Sequence, residues 1–439
     1  MTITGTNFTG VTAVTFGATN ATSFSFVSAT SITATAPAGT GTVDIIVTTP
    51  GGTSATGAGD QYTYVAAPTV TAVSPTAGPA TGGTSVVITG TNLTGATGAA
   101  GVKFGTTNAT SYVVNSATQI TAVAPAGTGT VDVTVTTTGG TSATGASDQY
   151  TYVLAPTVTS ISPTSGPASG GTTVTITGTN FSGATAVTFG GTAAAGFTVV
   201  SATSITATSP AGSGTVDIRV TTLGGTSAIS AADQFTYIPA PTVTTISPTS
   251  GPTAGGTTLT ITGTNFTGVT AVKFGATNAT GFSFVSATSI TATAPAGTGT
   301  VDITVTTPGG TSATGAGDQY TYVAAPTVTA VSPTAGPTGG GTTVVITGTG
   351  LSGATAVKFG ATNASGFTVN SATQITATSP AGTGTVDVTV TTSGGTSATG
   401  AADQYTYVAA PTVSSVNPTS GPGSGGTTVT ITGTNFTGA

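Results

Sequence analysis

Cysteine, histidine, tryptophan and glutamate are all missing from this 439-residue chain, and charge of either sign is scarce. Without cysteine no disulfide can staple the fold, so packing and backbone pairing must hold it. Without histidine, cysteine or glutamate the usual general bases and nucleophile partners are gone. A serine or threonine nucleophile would have only Lys or Asp as its base, so the chain reads as non-enzymatic, with no catalytic residue and no cofactor. The charged side chains are ten Asp, three Lys (Lys103, Lys273, Lys358) and Arg219, giving a net charge of −6. Such a balance, with no basic cluster, argues against a nucleic-acid partner. No apolar run approaches the length of a membrane span, and no secretory signal is visible.

What fills the chain is Thr, Gly, Ala, Ser and Val, in a repeat. The segment Pro156-Thr157-Val158, followed by Ser162-Pro163-Thr164-Ser165-Gly166-Pro167 and Gly178-Thr179-Asn180-Phe181, recurs with its first proline at Pro68, Pro156, Pro241, Pro326 and Pro411. The intervals are 88, 85, 85 and 85 residues, which means tandem copies of one small domain. The expected division is 1-67, 68-155, 156-240, 241-325, 326-410 and 411-439. The extra three residues of the second copy fall within Gly95 to Gly101, between strands, where an insertion costs little.

The ends are offset from this frame. Met1 to Phe8 aligns with Leu259 to Phe266, so 1-67 lacks its opening strand, while 411-439 supplies that opening. Two readings follow: an excerpt of a longer array, or strand complementation between chains through 411-439 and 1-67, giving a head-to-tail filament that does not close. The first copy resembles the fourth, the second the fifth and the third the last fragment. A three-domain block has been duplicated, which favours a long array.

Within a copy, apolar and hydroxyl residues alternate in Val174-Thr175-Ile176, Val187-Thr188-Phe189, Ile205-Thr206-Ala207 and Val216 to Val220, as strands do. Pro and Gly clusters punctuate these runs, and Gly224-Gly225 reads as a hairpin. No stretch has helical periodicity. The expected fold is all-β: tandem immunoglobulin-like antiparallel β-sandwiches of about seven strands each. Joints such as Tyr322-Val323-Ala324-Ala325-Pro326 hold no flexible spacer, so an extended array of beads on a stiff rod is expected.

Pro-Thr-Val-Thr, Ser-Pro-Thr-Ser-Gly-Pro, Gly-Gly-Thr, Thr-Ile-Thr-Gly-Thr-Asn-Phe, Val-x-Phe-Gly and a closing Phe/Tyr-Thr-Tyr together resemble IPT/TIG domains, over essentially the whole chain. The resemblance implies an immunoglobulin-like fold and an extracellular or cell-surface place, in a bacterial stalk, adhesin or fibre. The family's DNA-binding members use basic loops that this chain lacks.

Each copy carries two aspartates. Asp44, Asp132, Asp217, Asp302 and Asp387 follow Thr-Val; Asp60, Asp148, Asp233, Asp318 and Asp403 precede Gln. The second series gives the calcium candidates, with backbone carbonyls completing an oxygen shell. The plainer reading is a solvated strand residue for the first series and a turn or capping acceptor for the second, and little calcium dependence is expected. Asn7, Asn20, Asn108 and Asn265 lie in glycosylation sequons, against which stands a turn Asn bonding its own backbone; surface glycans remain candidate partners. Tyr62, Tyr150 or Tyr320 is considered as a sugar platform, one of each Tyr pair expected inward and the other outward.

The functional expectation is a structural component of an extracellular filament, fibre or stalk. It would assemble end to end or laterally, because Thr/Val edge strands without Lys are open to pairing and a charge-poor surface repels its neighbours weakly. The alternative is the stalk of a surface adhesin or a phage tail appendage whose binding tip lies elsewhere.

Overall fold

The computed structural model describes residues 1–437. The fourth repeat serves as the pattern. Its strands are β1 (Thr242–Ser247), β2 (Ser250–Pro252), β3 (Thr258–Thr264), β4 (Ala271–Phe274), β5 (Thr277–Asn278), β6 (Gly281–Ser286), β7 (Ser289–Thr293), β8 (Gly299–Thr307), β9 (Gly310–Thr311) and β10 (Gln319–Val323), with a 3₁₀ turn at Ala316–Asp318. One sheet has the order β1-β3-β7-β6 and the other β2-β10-β8-β4-β5, with β9 hairpinned onto β8. All pairs are antiparallel except β2 with β10, which run parallel through Ser250↔Thr321 and Pro252↔Val323. The sheet switch between β1 and β2 comes at Pro248-Thr249, where proline removes a ladder donor.

Alternation decides what is buried. In β3 the pattern Thr-Leu-Thr-Ile-Thr-Gly-Thr places Leu259 and Ile261 inside and every threonine outside. The β-branched threonines fit the pleat on the wet face. The core joins Ile246, Leu259, Ile261, Phe266, Val272, Phe274, Ile290, Ile303, Val305, Tyr320 and Tyr322. Phe274 packs edge-on to Tyr320 with ring centres 5.3 Å apart, and Tyr320 to Tyr322 at 5.1 Å. The second and fifth repeats bury the corresponding sets around Tyr150 and Tyr405. The chain is thus a series of sandwiches, each with its own two-sheet core.

Candidate functional site

The two tyrosines of a pair do not divide between inside and outside. Tyr150 and Tyr152 are both buried, as are Tyr320 and Tyr322, because residues two apart in a strand share a face. Tyr62 and Tyr64 are half-buried. The expected sugar platform on Tyr62, Tyr150 or Tyr320 is therefore replaced by core aromatics.

Asp148, Asp233, Asp318 and Asp403 end the 3₁₀ turn before the last strand, and Asp60 stands at the same place in the first repeat, just ahead of Gln61–Tyr64. The buried Asp318 carboxylate accepts the Gly315 N–H at 3.1 and 3.0 Å, and Asp403 accepts that of Gly400 at 3.1 Å to each oxygen. Asp148 accepts from Gly145, and Asp233 from Ser230. In the first repeat the half-buried Asp60 accepts from Gly57 at 2.9 Å. The fold also brings Asp233 to Asp217, Asp318 to Asp302 and Asp403 to Asp387, each pair 16 positions apart in sequence. Burial pushes the Asp318 carboxyl above the usual carboxylate range; the Gly315 N–H opposes this, and the charge of Asp302 adds to the rise. Asp403 with Asp387, and Asp233 with Asp217, behave likewise. Among the described residues no three acidic side chains gather as a metal would need, whereas calcium takes six to eight oxygens.

The joints are clasped by the repeat that follows. Asn265, in left-handed conformation at φ 59°, donates Nδ2–H to the Ala240 carbonyl at 3.0 Å. Asn180 does the same to Ala155, and Asn92 to Ala67. The hairpin turn grips the same linker: a Cβ added at Gly309 would run into the Pro239 carbonyl, and one at Gly394 into that of Ala324. Of the sequon asparagines, Asn265 is thus engaged, while Asn20 and Asn108 lie exposed in the counterparts of β5.

The first repeat has its counterpart of β3 at the sheet edge, in the order Thr2–Thr4, Ser31–Thr35, Ser23–Ser28. A groove of about 480 Å³ runs along it, lined by Ile3, Phe8, Ile45 and Val47 among others. Residues 411–437 form only the pair Thr412–Asn417 with Thr430–Thr434. There Val416 is 41% and Ile431 54% exposed, whereas their counterparts Ile246 and Ile261 are buried.

One surface escaped sequence reading. Strand β6 carries Phe284 at 50% and Val285 at 60% exposure. Its signal was present in Gly-Phe-Ser-Phe-Val-Ser, whose aromatics suggest burial until the topology places the strand at an edge.

Among the described residues no helix is long and apolar enough to cross a membrane. A family model described as IPT/TIG domain matches residues 1–64, 68–152, 156–237, 241–322, 326–407 and 411–439. Among solved structures, the plexin A4 extracellular region is 18% identical, with 90% of this chain and 41% of that one covered and a TM-score of 0.28. SGBP-B from a xyloglucan utilization locus of Bacteroides uniformis is 28% identical over 36% of this chain and 48% of that one, TM-score 0.18. The Escherichia coli adhesin FdeC is 17% identical over 59% of this chain and 98% of that one, TM-score 0.24. The chain thus spans less than half the length of the plexin and of SGBP-B.

Proposed function

The chain belongs to the IPT/TIG domain family, and from that premise we propose that it is a structural array of the bacterial cell surface. Its serial sandwiches set distance and assemble into a filament, fibre or stalk. The observation that carries this reading is the clasped joint. A linker in which the Ala155 carbonyl is bonded by Asn180 and the Leu154 carbonyl is covered by the Gly224 turn leaves little slack at that joint, and a repeat that contacts mainly its neighbours makes a spacer. Charged residues are 3% of the chain, against about a quarter in ordinary soluble domains. The hydroxyl-coated exterior therefore supports a place outside the cell and resists association weakly. Among the described residues no side-chain constellation supports catalysis, and the array is read as non-enzymatic.

End-to-end assembly through 411-439 and 1-67 fits the same reading. Residues 430–438 repeat residues 2–10 letter for letter. If Thr412–Asn417 of one chain pairs with Thr2–Thr6 of another, the ladder it leaves with Thr430–Thr434 is replaced by one of identical sequence. The gain is the burial of Val413 and Val416 over Ile3 and Phe8, roughly 1.5–3 kcal/mol for each side chain fully covered. Immunogold labelling of intact producing cells tests the proposal. Label along fibres outside the cell is expected; label confined to the cytoplasm overturns it.

A further inference from the structure

Each of the four complete sandwiches has four sheet edges, and three of them are blunted, as the fourth repeat shows. The outer edge of β1 lies against the 3₁₀ turn, so closely that a methyl at Gly317 would strike the Thr244 carbonyl. The β2 edge is three residues long and ends in Pro252, and β5 has two residues. Short strands and proline are devices that stop edge pairing. The β6 edge has neither. Its regular part, Gly281 to Phe284, pairs with β7 on one side only, which leaves backbone donors and acceptors free on the other.

The side chains of β6 deepen the contrast. Phe282 and Phe284 lie opposite Ala292 and Ile290, on the core-facing side, yet overhang the core half-exposed. Counterparts of β6 end the same sheet in the other repeats: Ser23–Ser28, Ser111–Ser116, Gly196–Ser201 and Gly366–Ser371. An aromatic stands second in every one (Phe24, Tyr112, Phe197, Phe282, Phe367), and no residue in any of them is charged. They recur at intervals of 88, 85, 85 and 85 residues.

We infer that the bare β6 edges are the lateral contact between two copies of this chain, paired antiparallel edge to edge. This rests on the self-assembly reading above and names its surface. A second copy is the occupant because the free edge asks for a strand, which satisfies donors and acceptors in alternation. An uncharged segment meets its own twin without repulsion, and the partner's aromatics cover the overhanging rings. Four regular residues bind weakly alone. The edge recurs in five repeats of each chain, so many weak contacts between two copies add as avidity.

The test uses the full chain and its concentration-dependent sedimentation. One variant carries Ser25→Lys, Val113→Lys, Thr198→Lys, Ser283→Lys and Thr368→Lys; a second carries Asp at the same five positions. All five side chains are exposed, and circular dichroism verifies folding. Each variant alone is expected to need at least about tenfold more protein to associate, because like charges face one another at the seam. Mixing the two is expected to restore association, which a misfolded chain would not do. A Lys variant that associates like wild type, or a mixture that fails to recover, overturns the inference. A third chain, Val413→Asp with Val416→Asp, separates the two ideas. If it alone abolishes association, assembly stands and the β6 edge falls; if wild type stays monomeric throughout, both fall. A monomeric wild type held by immobilised neutral polysaccharide through the same edge would assign β6 to a glycan, and also overturns the inference.

Discussion

Asn265 reaches back across its own repeat to bond the carbonyl of Ala240, the linker residue just ahead of Pro241, at 3.0 Å. The same residue holds a φ of 59°, a region costly to side chains with no local hydrogen bond. Asn265→Ala loses the bond and keeps the strain, and is expected to destabilise the fourth repeat by about 1.5–3 kcal/mol. Asn265→Gly relieves the strain and loses only the bond, so its cost should be about 0.5–1.5 kcal/mol. The fifth repeat carries Gly350 at this position, also at positive φ. Urea unfolding of the three chains gives the order.

Gly394 belongs to the turn that covers the next linker. A methyl there would collide with the Ala324 carbonyl, and backbone cannot move aside cheaply. Gly394→Ala should cost about 1–3 kcal/mol, the range for forced overpacking, and should open the joint. Limited proteolysis is expected to cut near Ala324-Ala325 sooner in the variant than in wild type.

The Tyr320 hydroxyl is buried without a hydrogen-bond partner among the described residues, pressed against Gly251. The third repeat has Phe235 in its place, fully buried. Removing a buried unsatisfied hydroxyl removes a desolvation cost. Tyr320→Phe is expected to be neutral or to stabilise by up to about 1–2 kcal/mol. Tyr405 differs, because its hydroxyl donates to Ser379 Oγ at 3.4 Å; Tyr405→Phe should gain less. Thermal melts of the two variants compare them directly.

The buried carboxyls of Asp233, Asp318 and Asp403 are raised by desolvation in the folded chain. A raised acid binds more protons folded than unfolded. Its contribution to stability is complete below the unfolded value near 3.8 and is lost as pH climbs through the folded value. The melting temperature should therefore rise as pH falls from 7 towards 4, opposite to the usual effect of paired carboxylates. The triple variant Asp233→Asn, Asp318→Asn, Asp403→Asn should flatten that slope. Millimolar calcium should leave the melting temperature of wild type unchanged; a large rise would restore Asp60, Asp148, Asp233, Asp318 and Asp403 as ligands.

Much of the fold was legible because threonine marks one face so consistently. Leu259 and Ile261 between threonines announce a strand and its inner side, and the 85-residue period announces the tandem copies. The two-residue strands β5 and β9 are too short to show any period. The Tyr pairs were misread by a rule of alternation applied to residues two apart, which the pleat places together. The meeting of Asp302 with Asp318 and the exposure of Phe284 both depend on which strands are neighbours. Composition along the chain does not carry that information; sheet order does.

Sedimentation equilibrium of the full chain in calcium-free buffer, across a wide concentration range, tests self-association directly. The weight-average mass is expected to start at 41.1 kDa and to climb through multiples of it as concentration rises. A mass fixed at the single-chain value up to the highest concentration would contradict assembly through this chain.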